Sequence, residues 1–349
     1  MKRAFREAFG CEAEAEGRAP ARVNLIGDHT DYAEGFCLPM PLRCETRVAM
    51  ARAPAFAARS EGHPASAFDP SGPPRGDWTD YVAGPLAELA AAGVEVPPVA
   101  VLVASGVPQG AGVSSSAALE VAVIRAALAL AGKSLPDAEV ARMAQRAENR
   151  YCGVNCGILD QMASAAGRAG QALLLDCRTG TGRLVGVPPA FRFRIVHCGE
   201  ERRLADGAYN ERRRAVEEAA SLLGLSALRD AVPGDAERLP SSVRHRARHV
   251  VAENMRVLAA VEALEGADLT AFGRLMTESH RSLAMDYEVS TPALDRLVEA
   301  MLAAGAAGAR LTGAGFGGCA VALLPPDIDE AVWWERVSAA NPQAWLVAG

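Results

Sequence analysis

Residues 106 to 120, Gly-Val-Pro-Gln-Gly-Ala-Gly-Val-Ser-Ser-Ser-Ala-Ala-Leu-Glu, constrain this chain more than any other segment. Before them runs Val-Ala-Val-Leu-Val-Ala (99–104), an apolar stretch that predicts a strand. After them, residues 117–130 are built almost entirely from strong helix formers. Strand, glycine-rich loop and helix N-terminus together make a ready anion site. The first N–H groups of a helix are unpaired, and its dipole is positive at that end. Gly110 and Gly112 remove side chains that would hold an anion off the backbone, and Ser114, Ser115 and Ser116 offer hydroxyls and a helix cap. An ordinary tight turn with a good cap is the plain alternative.

The loop is not of the Walker A type, which needs a Lys after its second Gly. The lysines are Lys2 and Lys133, and Gly132-Lys133-Ser134 has Ala127 where the first glycine belongs. A second glycine segment, Leu311 to Ala320, carries Gly313, Gly315 and Gly318 in Gly-x-Gly-x-x-Gly spacing. Here an apolar strand follows instead of a helix, and too little chain remains for a dinucleotide fold. These glycines are expected to let backbone approach a phosphate or another loop.

At 349 residues and 50% hydrophobic content, the chain is long enough for two domains with full cores. A net charge of −6 without a basic patch argues against nucleic acid as a partner. The longest apolar run, 117–131, is interrupted by Glu120 and Arg125, so no membrane span is expected. Met-Lys-Arg-Ala-Phe-Arg-Glu at the start lacks the apolar core of an export signal. The eight cysteines are scattered; Cys152 and Cys156 lie close, but no second pair completes a zinc set. The expectation is a cytoplasmic α/β protein with reduced, mostly buried thiols.

Strands are expected within 18–50, then a strand and a loop in 51–77, and a helix near 78–93. Helices follow at about 115–131 and 136–150, strands within 167–178 and 191–197, a mainly helical stretch over 201–305, and a strand at 319–324 before a last helix and strand. Thr-Gly-Thr-Gly-Arg and Pro188-Pro189 suggest a boundary near 180–190.

Two further segments carry candidate chemistry. In Arg22-Val-Asn-Leu-Ile-Gly-Asp-His-Thr-Asp-Tyr32, an apolar strand runs into Asp28, His29 and Asp31. Carboxylates packed this closely suit sugar hydroxyls, since each oxygen accepts two hydrogen bonds. Three ligand-type residues on one turn do not close a metal shell by themselves, and a capping Asp beside a satisfied His is the bland reading. In Glu148 to Gln161, Asp160 sits where a glycine-bracketed loop enters an apolar helix, a position that favours negative charge or a plain cap. Glu148, at the end of a helix, reads by itself as a solvated surface acid.

Taken together, these segments resemble the galactokinase branch of the GHMP sugar-kinase superfamily. The motifs that carry the resemblance are Arg22 to Tyr32, Gly110 to Glu120 and Gly313 to Cys319, with Asn155 to Gln161, Ala208 to Arg213, Arg248 to Glu253, His280 to Leu283 and Asp286 to Ser290 between them. The resemblance covers nearly the whole chain. It implies a two-domain α/β (α+β) fold, with a ribosomal-S5-domain-2-like N-terminal domain over 1–185 and a ferredoxin-like α/β C-terminal domain over 186–349. In that arrangement the last strand is able to return to the first domain, and the active site lies in the cleft. It further implies phosphoryl transfer from ATP, with Mg²⁺, to the anomeric hydroxyl of galactose, in a monomer or weak homo-oligomer.

By motif position, the resemblance makes Asp160 the catalytic aspartate and Arg22 the arginine beside it, whose charge would stabilise the transferring phosphoryl group. It implies Ser116 and Glu148 as Mg²⁺ ligands, an oxygen set suited to a hard cation. Gly110, Gly112, Ser114 and Ser115 would wrap the phosphates, and Trp78 would fall near the nucleotide. Asp28, His29, Asp31, Gly157 and Tyr209 would contact the sugar. Two departures from the family pattern stand out. Asp28 replaces the usual Glu near the sugar's C6 end, and Cys198 to Leu204 replaces a different loop sequence. Kinases for arabinose, galacturonate or N-acetylgalactosamine, and a non-catalytic galactose and ATP sensor, are the competing readings.

Overall fold

A computed structural model of the chain describes residues 1–200 and 206–347. Glu201 to Leu204, part of the departing Cys198–Leu204 stretch, lie outside the described residues. In chain order the first elements are α1 (Lys2–Phe9), β1 (Ala15–Asn24), β2 (Phe36–Cys37), β3 (Pro39–Arg52), β4 (Ala57–Ser60) and β5 (His63–Ala67). Next come α2 (Asp80–Ala91), β6 (Val99–Ser105), α3 (Ser115–Leu130), α4 (Asp137–Tyr151) and α5 (Leu159–Ala166). The second half holds β7 (Gln171–Asp176), β8 (Thr181–Gly186), β9 (Arg192–His197), α6 (Asp206–Leu222), α7 (Ser241–Glu265) and α8 (Leu269–Met285). The chain closes with α9 (Pro292–Ala303), β10 (Gly308–Leu311), β11 (Cys319–Leu324), α10 (Glu330–Ala340) and β12 (Trp345–Leu346). Among the described residues no helix is long and apolar enough to cross a membrane.

Compactness does not follow a single cut of the chain. One unit comprises Met1–Arg22, Leu42–Pro108 and Ser114–Ala166, and the other Val23–Pro41, Gln109–Val113 and Gly167–Gly349. The chain passes between them at Arg22/Val23 and at Val113/Ser114, inside two of the motifs read above.

The first unit is built on a sheet of order β1-β3-β6-β4-β5. β6 pairs antiparallel with β3 and parallel with β4, so its Val-Ala-Val-Leu-Val run is buried along most of its length. The helix α3 is apolar nearly all round, and its residues from Ala117 to Leu130 are buried except at a few positions. A helix of that kind belongs inside a domain; α2, α4 and α5 pack around it. Gly17 lets β1 cross α3 closely, because a Cβ there would lie 2.2 Å from Ala122 O.

The second unit holds an antiparallel sheet of order β10-β11-β9-β12 and a small sheet β2-β7-β8. β7 and β8 form a hairpin with Gln171 opposite Gly186 and Asp176 opposite Thr181, closed by Gly180 N–H donating to Asp176 O. Local signals start its helices. Asp268 caps α8, Thr291 caps α9 with Pro292 behind it, and Asp329 caps α10. The core gathers Val196, Val250, Leu283, Tyr287, Leu294, Leu311, Leu324 and Trp333 from both layers. Each such side chain contributes about 1.5–3 kcal/mol of burial.

Long periodic elements lie where the sequence predicts them, among them α3, α4, β7, β9 and β11. Residues 51–77 hold a hairpin, β4–β5, where one strand is expected. The short α1 and β10 have too few apolar positions to announce themselves; α1 buries Phe5 alone of its residues.

Candidate active site

In the first unit, Asp160 is the second residue of α5 and accepts hydrogen bonds on both carboxylate oxygens. Arg22 Nε donates to Oδ1 at 2.7 Å, with Nη2 2.6 Å from the same oxygen, and Ser114 Oγ donates to Oδ2 at 2.5 Å. Arg22 is buried while Asp160 keeps about a third of its side chain accessible, so the arginine is fixed and the carboxylate is presented. Backbone ties hold the two together. Ser164 Oγ in α5 donates to Pro20 O in β1, and Arg125 donates to Arg18 O and to Ala165 O. Asp160 is thus an ion-paired residue inside the helix and not merely a cap.

Ser114 departs from expectation. It sits at the cap position of α3 but makes no side-chain capping bond; its backbone is left-handed, φ 64°, and its hydroxyl is turned to Asp160. A non-glycine residue in that region costs about 1 kcal/mol and persists where the surroundings fix it.

Glu148 is also a correction: it is buried, not solvated. Gln161 Nε2 donates to its Oε2 at 2.6 Å, and the Ser116 hydroxyl bonds to it. Burial pushes the Glu148 carboxyl up and the charge of Asp160 adds to this, against the hydrogen bonds from Ser116, Cys156 and Gln161. One turn beyond Ser116 on α3, Glu120 is fully buried with neither oxygen hydrogen-bonded among the described residues. Burial drives its carboxyl well above the ordinary value, and Glu148 and Asp160 add to that. Asp160 therefore adds to the electrostatic cost of Glu148, and both add to that of Glu120. Ser115 is half-buried beside Ser116, and Gly157 is buried just ahead of α5. Trp78 precedes α2, with its ring 5.4 Å from that of His63; its indole N–H is buried without a partner among the described residues.

In the second unit, the turn Gly27–Tyr32 is held by a buried polar network. Asp28 Oδ2 accepts from Arg310 Nη2 at 2.6 Å and Oδ1 accepts from Gly313 N–H at 3.1 Å. Arg310 is fully buried and also donates to Asn24 O. Glu253, equally buried, accepts from Gly27 N–H at 3.0 Å, from Ser279 Oγ and from Arg256 Nε at 2.6 Å. Burial alone would raise the Glu253 carboxyl; Arg256, His249 and Arg310 outweigh it and hold it down at about 2. His249 Nε2 donates to Asp28 O at 3.2 Å, and burial pushes this imidazole down to about 4.

His29 has a left-handed backbone, φ 64°, and its ring packs between Tyr209, at 5.9 Å, and Tyr287, at 4.7 Å. Asp31 opens a short 3₁₀ turn and is half-buried. Gly110 and Gly112 have φ of 71° and 76°, with nothing near the position of a Cβ, so their loop is open where an anion would approach. That loop packs on the second glycine segment: a Cβ on Gly313 would lie 3.0 Å from Gly112 O, and one on Gly318 3.3 Å from Ala111 O. The glycines of 313–318 thus serve loop-to-loop approach, as expected.

Arg310 lies outside every motif read from the sequence, while Glu253, Tyr287 and Glu120 lie inside motifs of the resemblance but are given no role there. Glu120 and Arg310 did leave a signal, each a charge inside a mainly apolar run.

Three family models match the chain: the galactokinase galactose-binding signature over residues 3–52, the GHMP kinases N terminal domain over 80–168 and the GHMP kinases C terminal domain over 260–342. A galactokinase of Roseiflexus sp. (strain RS-1) is 42% identical over 347 residues, spanning 93% of this chain and 87% of that protein. The crystal structure of Lactococcus lactis galactokinase complexed with galactose superposes with a TM-score of 0.92 at 32% identity, over 99% of this chain and 96% of that one. The mevalonate kinase of Methanococcus jannaschii is similar in fold, with a TM-score of 0.70 at 19% identity over 95% and 96% of the two chains.

Proposed function

Since the chain belongs to the galactokinases of the GHMP kinase family, we propose that it transfers the γ-phosphoryl group of ATP to the anomeric hydroxyl of galactose. The observation that carries this reading is the Arg22–Asp160–Ser114 arrangement, reached from a galactose-binding signature that spans Arg22 to Asp31. A carboxylate presented by two donors is suited to accept the sugar hydroxyl proton. Arg22 places a fixed positive charge beside it, where phosphoryl transfer rests on positioning and electrostatics.

In this reading Asp28, His29, Asp31, Gly157 and Tyr209 define the sugar subsite. Gly110, Gly112, Ser114 and Ser115 receive the phosphates of ATP, the family's phosphoryl donor, and Trp78 lies at the nucleotide. The residues also fit Mg²⁺. Ser116 and Glu148 are hard oxygen donors already joined by a hydrogen bond, and the nearby charge of Asp160 adds to the negative potential that a cation would offset. When bound, Mg²⁺ supplies charge neutralisation on the phosphates. The galactokinase division at 185/186 is retained as the functional one, with the family segment 80–168 before it and 260–342 after it. The enzyme so described is cytoplasmic, a monomer or weak homo-oligomer, with no nucleic-acid partner.

Asp28 stands where the family usually has Glu, and Arg310 and Gly313 already engage both its oxygens. Preference at the sugar's C6 is therefore the sharpest question for assay. ADP release with ATP and Mg²⁺ across galactose, 2-deoxygalactose, N-acetylgalactosamine, galacturonate, L-arabinose and glucose tests the reading. Galactose should give the highest kcat/KM. A winner altered at C6 would move the substrate, and no sugar-dependent ADP release at all would overturn the activity.

A further inference from the structure

We propose that Tyr32 and Tyr287 are positioning residues for sugar recognition: their hydroxyls form a one-way hydrogen-bond chain that holds His29 as the neutral Nε2–H tautomer and fixes its left-handed turn. This rests on the reading of Asp28–Asp31 as the sugar subsite.

The direction of each bond follows from the atoms. His29 Nε2 lies 3.2 Å from Ala314 O, and a carbonyl has no proton to give, so Nε2 is the donor. In the neutral ring Nδ1 is then the acceptor, and the Tyr32 hydroxyl, 2.7 Å away, donates to it. The single Tyr32 proton is thereby committed. Its oxygen accepts from the Tyr287 hydroxyl at 2.6 Å. Desolvation pushes the Tyr287 phenol above its ordinary value, so it keeps its proton.

Each end of the chain is anchored. Tyr287 is fully buried, Arg212 Nε donates to its carbonyl at 2.8 Å, Arg212 Nη2 donates to Glu288 O, and the Arg246 guanidinium lies 6.0 Å from its ring centroid. At the other end Ala314 belongs to the glycine segment, which Phe316 N–H ties to Val289 O at 2.7 Å. Three segments, 27–32, 287–289 and 313–318, are thereby locked in one register around His29. A non-glycine residue at φ 64° needs such support. A ring anchored at both nitrogens supplies it and presents the backbone between Asp28 and Asp31 in one conformation. His29 then acts through its geometry and takes no part in proton transfer.

The test uses the full-length protein labelled with ¹⁵N in its histidine rings, of which there are six; His29→Gln assigns the His29 signals. Near neutral pH the spectrum should show His29 with Nε2 protonated and Nδ1 bare. In Tyr32→Phe the two tautomers should mix while the other histidine signals stay put, which reports that the variant is folded. The galactose KM should rise about five- to tenfold with kcat within about twofold and the ATP KM unchanged, the loss of one neutral hydrogen bond felt in binding. Tyr287→Phe should move the same quantities less. An Nδ1–H tautomer or an imidazolium in the wild type, or an unchanged galactose KM in Tyr32→Phe, overturns the proposal. Failure of the functional reading is told apart by the wild-type protein: no galactose-dependent ADP release overturns the recognition role, whereas the tautomer is decided by the spectrum alone.

Discussion

Arg310→Met should be among the most damaging substitutions in the second unit, and its cost can be worked from the buried network. The guanidinium is fully buried, 2.6 Å from Asp28 Oδ2 and 4.0 Å from Glu253 Oε1, and it also donates to Asn24 O. Methionine replaces only the aliphatic part of the arginine side chain and carries no charge. Glu253 would keep Arg256, Ser279 and Gly27 N–H, so it would remain paired. Asp28 would retain the hydrogen bond from Gly313 N–H, with its side chain almost wholly buried. Removing one member of a buried ion pair costs about 3–5 kcal/mol, mostly the penalty of the charge left behind. That is a large share of the roughly 5–15 kcal/mol that holds a typical domain folded. Urea unfolding followed by tryptophan fluorescence would read the loss, since Trp333 is buried in the same unit. Asp28→Asn on top of Arg310→Met removes the carboxylate charge that Arg310 had offset and should return about 2 kcal/mol of it. A loss below about 1 kcal/mol for the single variant, or strict additivity in the double, would refute the reasoning.

Three further outcomes are expected. Asp160→Asn should lower kcat about a thousandfold while thermal unfolding shifts little, because the proton acceptor is lost but the packing of α5 is not; near-normal turnover in an ADP-release assay would remove Asp160 from catalysis. Glu120→Gln should raise the unfolding midpoint by about 2 °C or more. Since burial raises the Glu120 carboxyl, the wild-type residue's contribution is fully present below the ordinary carboxyl range and is lost as pH rises, so the gain should be larger at pH 8 than at pH 5. His249 and His280 are both held at about 4, below the ordinary 6.5. An unfolded chain takes up those protons first, so their contribution is complete above 6.5 and is lost as pH falls toward 4. The stability advantage of wild type over His249→Asn should therefore shrink by about 2 kcal/mol between pH 7 and pH 5, at about 1.4 kcal/mol per unit; a constant difference would contradict the assignment.

The phosphate loop was legible because its signal is local. A β-branched strand, glycines that need φ near 70° and an alanine-rich helix each state their conformation within a few residues, and β6, Gly110, Gly112 and α3 follow that statement. The same holds for α8, α9 and α10, whose caps are written in Asp268, Thr291 and Asp329. Asp160 and Arg22 were placed by motif, and their ion pair joins residues 138 positions apart.

What the sequence by itself determined is therefore the set of elements, the glycine turns and the membership of the chain in its family, all properties of short stretches or of their order. The tertiary structure decided the electrostatic state of the side chains. Glu148 looked solvated and is buried; Ser114 looked like a cap and instead donates to Asp160. Among the described residues Glu120 has no hydrogen-bond partner, and Arg310 and Glu253 are drawn in from distant parts of the sequence to hold the Asp28 turn. Burial and the distances between charges depend on segments far apart in sequence meeting in space, and no periodicity within one segment encodes which carboxylate will find a guanidinium and which will be buried beside other carboxylates.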